Sequence, residues 1–259
     1  MQVDPGFLVL LGAGALAYVV RGITGGASAI VFNALFGLAL AFHLTGGLGL
    51  LDGLVWVALG DLVTGFVLLI VLRREIRMEP FLRRFLATSL PFSIAITLLL
   101  PRIEVRLLAL GLGAALVLAG LYLVTRRTIR PWDAATLLRR AGPWGVGAGI
   151  LSGLYGMAGP VTVVFLAHAG GDPSRFRARL TTLSVFWSSA RVLALLAAGL
   201  LDVTGVVRFG LTVPAILAGL GIGYLLHPHV GPGPFRVGLG ATVATAGILL
   251  VLRTLGVGG

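Results

Sequence analysis

Ten apolar runs alternate with short polar connections along the chain, at 7–20, 26–42, 46–72, 85–100, 105–125, 143–156, 158–169, 178–201, 208–226 and 236–252. None shows the alternation of period two that a membrane barrel strand carries, and several reach the ~20 residues with which a helix crosses a bilayer. The pattern predicts an all-α polytopic membrane protein. Two places break it. Arg21-Gly22-Ile23-Thr24-Gly25-Gly26-Ala27-Ser28-Ala29 stands between the runs 7–20 and 30–42, and Ser152-Gly153-Leu154-Tyr155-Gly156-Met157-Ala158-Gly159-Pro160 stands between 146–151 and 161–167. Glycines and small hydroxyl residues inside apolar sequence predict two half-helices meeting within the membrane, where free backbone groups hold a solute.

The two breaks belong to an internal repeat. Placing Gly22 on Gly153 puts Gly25 on Gly156, Ser28 on Gly159 and Trp56 on Trp187, a shift of 131 residues; downstream, Leu90-Pro91 matches Val213-Pro214 at a shift of 123. The order of elements is kept while the loops change length. This divides the chain into a first repeat at 1–128, a basic linker at 129–141 and a second repeat at 142–259, with five runs in each half. Whether a broken pair crosses the membrane or re-enters, each half makes an odd number of crossings. The second repeat is therefore expected to be inverted, with a site at the repeat interface near the midplane.

Charge adds an orientation. All twenty basic residues are Arg, and fourteen fall in the connections around 73–84, 126–140 and 175–179 and at Arg236. That face is expected to be cytoplasmic, with both termini outside. Residues 126–140, with Pro131-Trp132, read as a loop whose Trp132 anchors at the interface. The net charge of +11 does not indicate nucleic acid, because the arginines lie in short loops between apolar runs. With 58% hydrophobic and 11% charged residues the chain has too little polar surface for water on all sides. No cysteine is present, so disulfide and thiolate chemistry are excluded. No Walker motif occurs, and no cofactor or metal is expected.

Few polar side chains lie inside the apolar runs, and these are the candidates. Arg191 costs several kcal/mol in lipid and must face a partner, water or a solute. It either binds an anion through its planar fork of donors or pairs with Asp61, nearly opposite it in the repeat (Gly60 matches Arg191). Arg21, at the first break, is either a second cationic ligand or a snorkelling side chain; Ser152 is its counterpart. Asp61 is the candidate for proton coupling, while Asp52, near the start of the same run, suits an interfacial role. Asn33 bonds either a neighbouring helix or the solute. The backbone of Gly25, Gly26 and Ser28 and of Gly156–Gly159 precedes a half-helix whose N–H groups favour an anion. Gly153 belongs to the same turn. Thr24, Thr162 and Ser188 add hydroxyl donors. Trp187 and Trp56 are packing residues or cavity walls, and His43 and His168 lie near the membrane boundary.

The Gly-rich breaks, the Ser152-Gly153-Leu154-Tyr155-Gly156 turn, the segment opening at Ala178-Arg179-Leu180-Thr181-Thr182 and the basic linker together resemble the TauE/SafE sulfite exporter family, also called TSUP, over nearly the whole chain. The resemblance implies a secondary transporter, not an enzyme, that moves sulfite, sulfonates or related organosulfur anions across a bacterial or archaeal plasma membrane. Its partners are then the small anion, the lipid bilayer, protons where transport is coupled and possible homodimer contacts. The chain departs from the family's glycine triplet at Ala158-Gly159-Pro160 and at Ala27-Ser28-Ala29. An intramembrane enzyme and a passive anion channel are the alternative readings. Ser28 with His43 lacks the glycine that a serine protease would place after its nucleophile.

Overall fold

The computed structural model describes residues 5–125, 131–229 and 232–256. Arg126, Arg127 and Arg130 of the linker, Asp4 and the last glycines lie outside the described residues. The described chain is helical, with ten α-helices: α1 (Pro5–Thr24), α2 (Ser28–Ala41), α3 (Leu50–Val71), α4 (Pro80–Leu99), α5 (Val105–Thr125), α6 (Ala134–Tyr155), α7 (Gly159–His168), α8 (Pro173–Ala197), α9 (Val203–Leu226) and α10 (Pro232–Thr254). Seven segments are long and apolar enough to cross a membrane. Large side chains such as Leu118 and Leu225 are 68% and 73% exposed, as helices facing lipid require.

The expectation of two short half-helices at each break needs correction. α1 has 20 residues and α6 has 22, so only the second member of each pair, α2 with 14 and α7 with 10, is short. α1 runs past Arg21 to Thr24 because that arginine finds partners within the protein. α6 starts at Ala134, capped by the Asp133 carboxylate accepting from Thr136 N, so the latter part of the expected linker is helix. Exposed Asp133 is held below the usual carboxylate range by the Thr136 hydrogen bonds.

Each short helix folds back along its partner. The Thr45 carbonyl and Leu48, just beyond α2, press on Gly6 at the start of α1. At the other break, Trp132 N donates to the His168 carbonyl at 2.8 Å and the two rings stack at 3.7 Å, returning the end of α7 to the start of α6. Each pair is thus a helical hairpin whose two outer ends lie together. The two tips are Gly25-Gly26-Ala27 and Gly156-Met157-Ala158. Gly25 and Gly156 adopt φ of +79° and +70°, the left-handed region that glycine enters without strain.

Packing exchanges between the halves. α1 lies along α9 and, correspondingly, α6 along α4, while α3 packs on α8 and α5 on α10. Glycines bring the backbones together: Gly22 and Gly223 meet between α1 and α9, and Gly145 and Gly149 meet Phe85 and Ser89 between α6 and α4. α4 and α9 each carry an internal proline, Pro91 and Pro214. The matched tryptophans are both 5% exposed: Trp56 stacks on Phe32 with centroids 5.0 Å apart, and Trp187 donates to Ser89 Oγ at 2.8 Å.

The arginine-rich connections gather on one face. Arg179 makes a bidentate pair with Glu79, both bonds 2.6 Å, and donates to the Gly170 carbonyl, tying α8 to the loops before α4 and after α7. On the opposite face the Arg253 guanidinium sits 5.1 Å over the Phe42 ring, which leads into the loop against Gly6. The first and last described helices therefore begin and end on the same side.

Candidate functional site

Both tips point at α3 and α8, which cross the middle of the protein. Between them lies a cavity of about 50 Å³, several times the roughly 10–15 Å³ one water needs on that measure. Its walls come from tip one (Gly26, Ser28), tip two (Gly156, Gly159), α3 (Asp61), α6 (Ser152) and α8 (Ser184, Trp187, Ser188, Arg191). Arg21 closes one end.

Asp61 has three donors on one oxygen. Asp61 Oδ1 accepts from Arg21 Nη1 at 2.7 Å, from the Ser28 hydroxyl at 2.6 Å and from the Tyr18 hydroxyl at 3.2 Å. Arg21 Nη1 also donates to Ser28 Oγ at 2.9 Å, and its Nη2 donates to Ser184 Oγ at 2.7 Å. Arg21 is 1% exposed, so this is a buried ion pair, and the Ser28 and Ser184 hydroxyls accept further from the guanidinium while its Nε has no partner among the described residues. Such a pair holds together because each charge would otherwise be stranded out of water.

Asp61 thus takes Arg21, and the expected alternative in which it pairs with Arg191 is overturned. Arg191 is 2% exposed, and its Nε, Nη1 and Nη2 have no hydrogen-bond partner among the described residues. Its Nη1 lies 2.5 Å from where a β-carbon on Gly156 would be, so the guanidinium rests directly on the second tip. A full cation therefore faces the cavity while the other cation is neutralised.

Backbone dipoles add to this field. α2 begins after Ala27 and α7 after Ala158, and neither start has a side-chain cap. The first-turn N–H groups of a helix have no acceptor within it, and the positive end of its dipole accompanies them. Two helix starts and an unpaired guanidinium around one small cavity form an anion-binding environment. Pro160 in the first turn of α7 removes one of these N–H donors.

The other expected residues fall outside the lining. The Asn33 amide donates to the Tyr155 carbonyl at 2.8 Å, bonding a neighbouring helix end instead of the cavity. Thr24 bonds the Val20 carbonyl and lies against Gly26, closing its own helix end. Gly25 is covered by Arg177, and Gly153 packs on Ser93 and Ile96 of α4. Thr162 donates to the Ala158 carbonyl, Asp52 accepts from Gly49 N, and His43 is exposed in a turn. Sequence reading missed Tyr18 and Ser184. Both carried a signal: Tyr18 lies one helical turn before Arg21, and Ser184 shares a face of α8 with Ser188 and Arg191 at spacings of four and seven.

The sequence matches the family described as "Sulfite exporter TauE/SafE" over residues 10–250. The chain belongs to that family, a family of membrane transporters. Among curated proteins and among solved structures no match is found.

Proposed function

We propose that the protein is a secondary transporter that carries sulfite, or a related small organosulfur anion, through the bacterial or archaeal plasma membrane by alternating access. The observation that carries this reading is Arg191: a buried guanidinium with three unpartnered nitrogens, facing a cavity between two uncapped helix starts. A protein keeps such a group in lipid only where something recompenses several kcal/mol, and a planar oxyanion matches the guanidinium fork. The first-turn N–H groups of α2 and α7 complete the anion's shell. Asp61 supplies the coupling. When it takes a proton, Arg21 is released from the pair and becomes a second ligand; when it is ionised, Arg21 stays occupied. The expected membrane orientation places the arginine-rich face in the cytoplasm and both termini outside, with the second repeat inverted.

The test is thermal stability of the purified protein against sulfite, sulfate, an aryl sulfonate and chloride, with Arg191→Ala alongside. A ligand at 100 times its Kd adds about 2.7 kcal/mol. Sulfite is expected to stabilise the wild type and to lose its effect in the variant. Equal shifts in both proteins, or none with any anion, would remove Arg191 as the ligand.

A further inference from the structure

The two hairpins correspond in sequence but are not held alike. α2 is fastened along its length: Ser28 bonds Asp61 of α3, Asn33 bonds the end of α6, and Gly37 packs against Leu250 of α10. The tip before it is covered by α8, where Arg177 donates to the Gly22 carbonyl at 3.0 Å and lies over Gly25, and Leu180 lies over Gly26. Positions equivalent to Arg177 and Leu180 in the first half are Gly46 and Gly49; the second tip instead meets Arg191 and Val57 at Gly156, and Arg191 donates no hydrogen bond to it.

α7 lacks these fastenings. Its Thr162 bonds within its own helix, and its ring contacts with other elements lie in its last turn, where Phe165 stacks on Phe85 of α4 with centroids 4.9 Å apart and His168 meets Trp132. α2 packs on α10, and repeat correspondence would set α7 on α5. It stands away instead, leaving an apolar groove of about 500 Å³ between Ala115 and Leu118 of α5, Leu154 of α6, and Val161 and Val164 of α7. A helix anchored at one end, unfastened at the other and flanked by open apolar space is built to swing.

We infer that α7 is the moving gate of the transporter: it pivots about the His168 end into the groove beside α5, drawing Gly159 away from Arg191 and opening the cavity at the second tip. The first hairpin is the fixed wall. Gly153 packs near the end of α4 remote from the arginine-rich loops, so the opening faces the arginine-poor side. Both positions of α7 are apolar, so the movement exchanges one lipid-like surface for another at little cost in burial. This rests on the transporter reading, but its primary test does not.

The chain has no cysteine, which leaves paired labels free of background. Ala115→Cys with Val161→Cys spans the groove, and Gly37→Cys with Leu250→Cys spans the fixed contact; Leu118→Cys with Val164→Cys replaces the first pair if it folds poorly. With maleimide-linked nitroxides, chosen because sulfite cleaves disulfide-linked ones, pulsed EPR distances are measured in lipid nanodiscs with and without sulfite. The expected result is two distance populations across the groove, with a ratio that sulfite changes at least threefold, and one population for the fixed pair. A single narrow distance across the groove in both conditions, or equal broadening of both pairs, overturns the gate. Two populations that ignore sulfite keep the gate and count against the anion reading instead.

Discussion

Replacing Arg191 with methionine should make the protein more stable in the absence of ligand. Removal of a buried arginine ordinarily destabilises, because its partners are stranded. Here the guanidinium is 2% exposed and its nitrogens have no partners to strand. Insertion scales place the cost of an arginine at a helix centre at about 2.5–3.5 kcal/mol. The polar cavity wall and the more distant attraction of Asp61 offset part of this, so a net gain of about 1–2 kcal/mol is expected from the unbranched, flexible methionine. At roughly 2–4 °C per kcal/mol for a chain of this size, the unliganded midpoint rises by about 2–8 °C. The assay is thermal unfolding in detergent or nanodiscs, monitored by tryptophan fluorescence, in sulfite-free buffer. A fall of several degrees would refute the reasoning, since it would mean Arg191 holds the empty fold together.

Asp61→Leu should behave oppositely, losing about 3–5 kcal/mol because Arg21 is left charged and buried, and adding Arg21→Leu should restore most of the loss; unfolding of the two single variants and the double measures it. Gly156→Ala should cost about 1–2 kcal/mol from its left-handed backbone and displace the Arg191 fork, weakening anion stabilisation beyond the loss of stability. Ala27, a non-glycine residue at φ 69°, predicts the reverse: Ala27→Gly should relieve up to about 1 kcal/mol, visible in the same melts. Asp133 and Asp172 cap α6 and α8 with lowered carboxyl pKa values, from the Thr136 hydrogen bonds and the Arg175 backbone N–H respectively. Their contribution is present above the ordinary aspartate value of about 4 and is lost as pH falls through the lower folded value; Asp133→Ala should flatten this acid dependence in a pH series of melts.

Much of the fold was legible because lipid imposes simple rules. Run lengths gave the helices of the described residues, and the glycines at 25 and 156 marked the two chain reversals, since such a reversal calls for residues that tolerate left-handed backbone. The lengths of α1 and α6 were not legible. Polar residues such as Arg21 and Arg139 look like helix ends in a hydropathy pattern, yet they continue the helix when a partner or the interface receives them. The site was legible in part. Arg191, Arg21, Asp61 and Ser28 do converge on one cavity, but which arginine takes Asp61 depends on how α1 and α8 lie against α3. Repeat alignment placed Arg191 opposite Gly60, one residue from Asp61, and a single turn of helix decides the partner. Tyr18 stayed hidden because a tyrosine in an apolar helix is ordinarily a packing residue, and its hydroxyl acquires meaning from a carboxylate 43 positions away.

The central claim is that a small oxyanion crosses the membrane held by Arg191. Its most direct test is uptake of radiolabelled sulfite into proteoliposomes containing the wild type or Arg191→Gln at matched reconstitution, with an imposed pH gradient. The account predicts saturable uptake by the wild type that responds to the gradient and falls at least tenfold in the variant, while the variant remains folded. Uptake by the variant at the wild-type rate would contradict it.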